Sequence, residues 1–157
     1  MKKTAVVYYS WSGNTAAVAG LIHNETGGRL LEISPSTAYP SDYRTCVIQA
    51  KKEIQTGFMP ELKTISENLD GFDLFFIGTP VWWNTMAPPV LTFLKQVNWS
   101  GKTLVPFCTH GGGGKGHFID DVRCVCGNAA LLDELVLYGS GGAAVSADIR
   151  VWANRWI

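Results

Sequence analysis

Along the whole chain, short apolar runs alternate with segments whose apolar residues recur at helical spacing. Ala5-Val6-Val7-Tyr8-Tyr9 is short, apolar and partly β-branched, which predicts a central parallel strand covered on both faces. From Asn14 to Glu25, Val18, Leu21 and Ile22 mark a helix that Gly27-Gly28 ends. Arg29-Leu30-Leu31-Glu32-Ile33 is a strand carrying charges, as an edge position tolerates. Tyr39-Pro40-Ser41-Asp42 offers a helix start. The helix over Tyr43 to Thr56 sets Cys46, Val47, Ala50 and Ile54 on one face and Lys51, Lys52 and Glu53 mostly on the other, and Gly57 closes it. Phe58-Met59-Pro60 then places two large apolar residues in a loop, where they either plug the core or stand near a ligand.

Phe72 to Gly78 predicts a third strand, followed by Thr79-Pro80 and a loop Val81-Trp82-Trp83-Asn84. Pro88 and Pro89 open a helix running through Val90, Leu91, Phe93, Leu94 and Val97. Thr103 to Cys108 is a fourth strand, Phe118 to Cys126 a helix, Ala130 to Tyr138 a fifth strand, and Ser146 to Ile157 a last helix with Ile149, Trp152 and Trp156 on one side. Such β–α alternation gives a three-layer α/β/α sandwich around a parallel sheet, in a single domain spanning residues 1–157. Ligands of such sheets sit at the carboxyl ends of the strands. The segments 10–15, 79–84 and 109–117 follow strands one, three and four, so all three fall on one rim.

Ser10-Trp11-Ser12-Gly13-Asn14-Thr15 joins the first strand to the first helix. The first turn of a helix leaves its N–H groups unpaired and its dipole favours an anion, while a glycine permits close approach. Ser10, Ser12 and Thr15 add hydroxyl donors. An ordinary turn with a serine cap would use one of these hydroxyls, not three. The loop holds no Lys or Arg, so it suits a phosphate monoester held by neutral dipoles and not an Mg-nucleotide. Thr109-His110-Gly111-Gly112-Gly113-Gly114-Lys115-Gly116-His117 carries five glycines in the six positions 111–116, which excludes helix or strand interior and implies a backbone that approaches something closely.

Composition narrows the classes. The chain has 46% hydrophobic and 17% charged residues, and no apolar run approaches the ~20 residues of a membrane span. Only five apolar residues follow Met1-Lys2-Lys3-Thr4, short of the ~7 a signal peptide needs, so a cytoplasmic protein is expected. Thirteen basic residues balance 13 acidic ones without clustering, which argues against nucleic acid. Cys46, Cys108, Cys124 and Cys126 lack zinc-site spacing, so no metal is expected and the thiols read as buried or incidental.

With these loops in hand, the chain resembles the flavodoxin-like family over essentially its whole length. Ser10-Trp11-Ser12-Gly13-Asn14-Thr15 matches the family's Thr/Ser-x-Thr/Ser-Gly-x-Thr signature at every fixed position. The resemblance implies a five-stranded parallel sheet of order 2-1-3-4-5, in the short-chain form, and FMN as cofactor. It implies that Ser10, Ser12, Gly13, Asn14 and Thr15 take the phosphate. Thr79, Pro80, Val81, Trp82, Trp83 and the adjoining Asn84 would form one wall of the ring site, and Thr109, His110, Gly111, Gly112, Gly113 and Gly114 the other. Trp11 packs on the ribityl or the ring edge in that scheme, and the sequence does not fix which tryptophan stacks.

Electron-shuttle flavodoxins are typically strongly acidic, and this chain is neutral. The loop after strand four carries His110, Lys115 and His117 and no carboxylate before Asp120; a cation there would stabilise an anionic reduced flavin. The first expectation is therefore an FMN-dependent oxidoreductase that takes a hydride from NAD(P)H and passes electrons to a quinone-like or other small acceptor. The alternatives are a one-electron carrier serving a partner protein and a non-redox module binding another phosphate ester. No catalytic residue is assigned. A homodimer completing an acceptor pocket would draw on Phe58, Met59 and Trp82.

Overall fold

Each apolar run becomes a strand whose alternate side chains feed two separate cores. The computed structural model describes residues 1–157. In chain order its elements are β1 (Thr4–Tyr8), α1 (Asn14–Thr26), β2 (Arg29–Glu32), α2 (Tyr43–Thr56), β3 (Leu74–Trp82), β4 (Thr85–Met86), α3 (Pro88–Gln96), β5 (Thr103–His110), α4 (Phe118–Val125), β6 (Ala130–Leu131), β7 (Leu135–Tyr138) and α5 (Val145–Ala153). Val6, Leu74, Phe76, Val105 and Phe107 pack with Val18 and Ile22 of α1 and Ile149 and Trp152 of α5. Ala5, Val7, Phe75, Ile77, Leu104 and Cys108 pack on the other side with Cys46 of α2, Val90, Phe93 and Leu94 of α3, and Phe118 and Val122 of α4. The helices thus cover both faces of the sheet.

The parallel order is β2-β1-β3-β5, and the fifth position is shared by β6, beside Thr103–Leu104, and β7, beside Phe107–His110. The expected fifth strand over 130–138 is therefore broken. Odd residues of β5 turn their backbone groups to β3 (Thr103 N–H donates to Asp73 O), and even ones turn to the edge strand (Leu132 N–H donates to Leu104 O). Pro106 has no N–H to give on that side, so the ladder lapses at 132–134. β2, paired only with β1, is the edge strand its charges suggest. β4 is the one antiparallel strand; it folds back on the end of β3.

Helix boundaries follow their caps. Asp42 accepts from Thr45 N–H at the start of α2, and Gly27 and Gly57 end α1 and α2 at φ 67°. Glu53, expected on the solvent face of α2, is buried; Tyr39 O–H and Gln49 Nε2 donate to its carboxylate at 2.6 and 2.8 Å. Phe58 and Met59 do not plug the core: both stay exposed. No helix is long and apolar enough to cross a membrane.

Candidate functional site

The carboxyl ends of β1, β3, β5 and β7 form one rim, and the loop 9–13 at its centre is built to leave donors free. Gly13 has φ 100°, a conformation open to glycine, and is the N-cap of α1 without any side chain capping the helix. Gly13 N–H donates to Ser10 Oγ at 3.2 Å and Ala17 N–H to Gly13 O at 3.0 Å. The N–H groups of Ser10, Trp11, Ser12, Asn14, Thr15 and Ala16 have no partner in the protein. Ser12 and Asn14 are exposed with uncommitted side chains. The Thr15 hydroxyl is spoken for: it is buried and lies 2.8 Å from the hydroxyl of Thr109 at the end of β5.

Thr79 to Trp82, expected as loop, continue β3. Thr79 Oγ1 accepts from Ala87 N–H at 3.0 Å and donates to Pro80 O at 2.9 Å, so it braces the strand end and is buried. Val81 and Trp82 pair with Met86 and Thr85 across a two-residue turn, Trp83-Asn84, with φ 49° and 68°. Both values suit the tight hairpin turn that matches strand twist, yet they are unusual for residues with side chains. Neighbours on two sides hold the turn. Trp83 Nε1 donates to Val47 O at 3.0 Å and Lys51 Nζ lies 4.9 Å from the centre of the Trp83 ring. His117 N–H donates to Asn84 O at 2.5 Å, and Thr85 O–H donates to the Asp121 carboxylate.

The glycine-rich segment begins two residues later than expected, because Thr109 and His110 still belong to β5. What its backbone approaches is the turn: at Gly116, with φ 53°, a Cβ would stand 2.2 Å from Asn84 O. Gly111, Gly113, Gly114, Lys115 and Gly116 have unpartnered N–H groups, whereas Gly112 N–H donates to His110 Nδ1 at 3.0 Å. That bond makes Nδ1 an acceptor, so neutral His110 carries its proton on Nε2. Lys115 is not a free cation; it pairs with Glu134, from the break between β6 and β7, which raises the Lys115 pKa through that hydrogen bond. Of the three candidate cations beside the ring, Lys115 is therefore paired with a residue that no local pattern pointed to.

Trp11, Trp82 and Trp83 gather on the α2 side. Trp11, Val81, Trp82 and Trp83 line a cavity of about 260 Å³ together with Tyr43, Cys46, Val47 and Ala50 of α2. Trp11 Nε1 donates to Pro40 O at 3.1 Å, and Trp82 sets its ring edge-on to Tyr9 and Tyr39, with centroids 5.7 and 5.1 Å away. Sequence reasoning missed the α2 residues; the apolar face of that helix was the available signal. It also passed over Gly139-Ser140-Gly141-Gly142, which follows β7 on the same rim with φ 57°, 93° and 76° at its glycines.

Compared with known proteins, the chain matches the family model described as flavodoxin over residues 3–155. Among solved structures, a candidate flavoprotein from Bacteroides eggerthii DSM 20697 has a TM-score of 0.86 at 27% identity, over 99% of this chain and 98% of that one. A flavoprotein from Lactobacillus acidophilus NCFM, solved in complex with FMN, has a TM-score of 0.77 at 26% identity, over 94% and 97% of the two chains. The WrbA-like flavodoxin of Agrobacterium tumefaciens shares the fold at 14% identity and a TM-score of 0.65, covering 99% and 94%. No curated protein matches the chain in sequence.

Proposed function

The chain belongs to the flavodoxin family, and on that premise we propose that it is an FMN-dependent oxidoreductase, taking a hydride from NAD(P)H and passing electrons to a quinone-like or other small acceptor. The observation that carries FMN binding is the set of six unpartnered N–H groups at Ser10, Trp11, Ser12, Asn14, Thr15 and Ala16, on a segment without Lys or Arg. A phosphate monoester fits that donor set, since backbone dipoles at a helix start stabilise an anion without a counter-cation. The Ser12 hydroxyl and Asn14 amide add to it. The rest of the rim fits a flavin ring as well: unpartnered N–H groups at Gly111, Gly113 and Gly114 suit the acceptors of the pyrimidine edge, and the 79–84 hairpin supplies apolar surface. Bound there, FMN supplies one- and two-electron chemistry; the chain binds it, orients it and sets the charge around it.

The acceptor reading rests on charge. Formal net charge is zero, and Glu134 beside the glycine loop is paired with Lys115, which argues against the strongly acidic field that draws a basic protein partner. Purified protein is expected to be yellow, and FMN-loaded protein to oxidise NADH or NADPH when a panel of quinones is present. Flavin-loaded protein inert to both nucleotides with every quinone would leave the one-electron carrier in place of the reductase. Protein that takes up no flavin would return the loop to a generic phosphate-ester site.

A further inference from the structure

The hydrogen bond between Thr15 and Thr109 joins two segments 94 residues apart in sequence. Both side chains are buried, at 1% and 3% exposure, and neither hydroxyl has another partner. Two valines would fill the same space, so a hydroxyl pair specifies one arrangement of the two segments and not simply their packing. Other buried threonines serve shorter purposes: Thr79 braces its own strand end, and Thr92 bonds Pro60 O and Pro88 O.

The place of the bond gives it meaning. Thr15 lies in the first turn of α1, which bears the unpartnered N–H groups of Asn14, Thr15 and Ala16. Helix starts are ordinarily ordered by an N-cap side chain, which consumes one of those N–H groups. Here the cap is Gly13, which gives no such bond, and the first turn has no acidic residue. The N–H groups stay free, and the turn must be fixed from elsewhere. Thr109, one residue from the end of β5, supplies that through the Thr15 side chain. Phe107, two residues before Thr109 in β5, sets its ring over Gly78 of the neighbouring β3, where a Cβ would stand 2.1 Å from it.

We propose that Thr109 is a positioning residue for the phosphate site: it does not touch the phosphate, and by holding Thr15 it fixes the direction of the free N–H groups of α1. The proposal rests on the FMN reading. Its test compares FMN with riboflavin, which lacks the phosphate, by titrating flavin fluorescence with the apoprotein. Thr109→Val should weaken FMN binding about tenfold and riboflavin binding less than about twofold. Thr109→Ser, which restores the hydroxyl, should return FMN affinity to within about threefold of wild type. The double variant T15V/T109V should be no worse than either single one, because both remove the same bond. If T109V does not fold, Thr109→Ala removes the hydroxyl without adding apolar bulk, and the same split is expected. An equal loss for FMN and riboflavin, or no recovery in T109S, would overturn the proposal. Wild-type protein that binds neither flavin would instead overturn the cofactor reading beneath it.

Discussion

Gly13, Ser12 and Thr15 are neighbours, yet they should respond differently to the same small substitution. At φ 100° Gly13 cannot take a Cβ without strain, although nothing beyond its immediate chain neighbours stands within 4 Å of the position, so the penalty is conformational and not a clash with the surrounding fold. Gly13→Ala should cost about 1–2 kcal/mol in urea unfolding and weaken FMN binding, because the turn that leaves the N–H groups free would relax. Ser12 is exposed and unbonded. Ser12→Ala should leave the urea midpoint unchanged within about 0.5 kcal/mol and weaken FMN by about 1 kcal/mol, the contribution of one hydroxyl. Thr15→Ala should do both kinds of damage. It strands the buried Thr109 hydroxyl, at about 1–3 kcal/mol, and releases the first turn of α1. If Ser12→Ala destabilised the fold as much as Thr15→Ala, the division between a ligand-facing and an inward-bonded hydroxyl would be wrong.

Among the elements, the β3–β4 hairpin depends most on a distant partner. Its turn residues Trp83 and Asn84 both hold positive φ without being glycine, and Gly116 closes against Asn84 from the glycine-rich segment. Gly116→Ala would bring a Cβ onto backbone that has nowhere to move, at φ 53°, and should cost about 1–3 kcal/mol in urea unfolding. Since Trp83 is half exposed and packed on α2, its fluorescence should shift in the native state of that variant as the turn detaches. An unshifted spectrum would mean that α2 alone holds the turn. This hairpin also marks where the sequence stops being legible. Strands one to four, the helices and the phosphate loop could be read locally, because a five-residue apolar run, a glycine stop or an aspartate cap acts within one turn of chain. Trp83-Asn84 carries no Asn-Gly or Asp-Gly signal, so nothing local announced a tight turn, and Thr79 to Trp82 read as loop although they extend a strand. Lys115 read as a free cation because its partner, Glu134, comes from a break that Pro106 imposes on another strand. The burial of Glu53 was hidden for the same reason: Tyr39, which bonds it, lies outside α2. Each miss is a long-range contact overriding a local pattern.

On the scale of the molecule, the two faces of the sheet are chemically unequal. The core against α2, α3 and α4 contains Tyr9, Tyr39, Cys46, Cys108 and Cys126, whereas the core against α1 and α5 contains no buried cysteine or tyrosine. Burial pushes the Cys108 and Cys126 thiols up to about 12, and burial, then the hydrogen bond to Glu53, raises the Tyr39 phenol; Tyr9 is raised chiefly by burial. A thiol of the unfolded chain ionises near 9.0, so below that pH both states hold the proton and stability is full. Above it the unfolded chain loses protons that the folded chain retains. Stability must then fall as pH rises, by up to about 1.4 kcal/mol per pH unit for each such thiol, until the folded pKa is reached. Urea midpoints should therefore decline from pH 9 to pH 11, and Cys108→Ala should make that slope shallower by about 1.4 kcal/mol per unit even though the cavity it leaves lowers stability at every pH. Because the buried thiols lie on one face, amide exchange should rise first in α2, α3 and α4 as alkali is approached, while α1 and the phosphate loop hold. Simultaneous loss of protection on both faces would mean that the sheet transmits the strain and the two cores unfold as one.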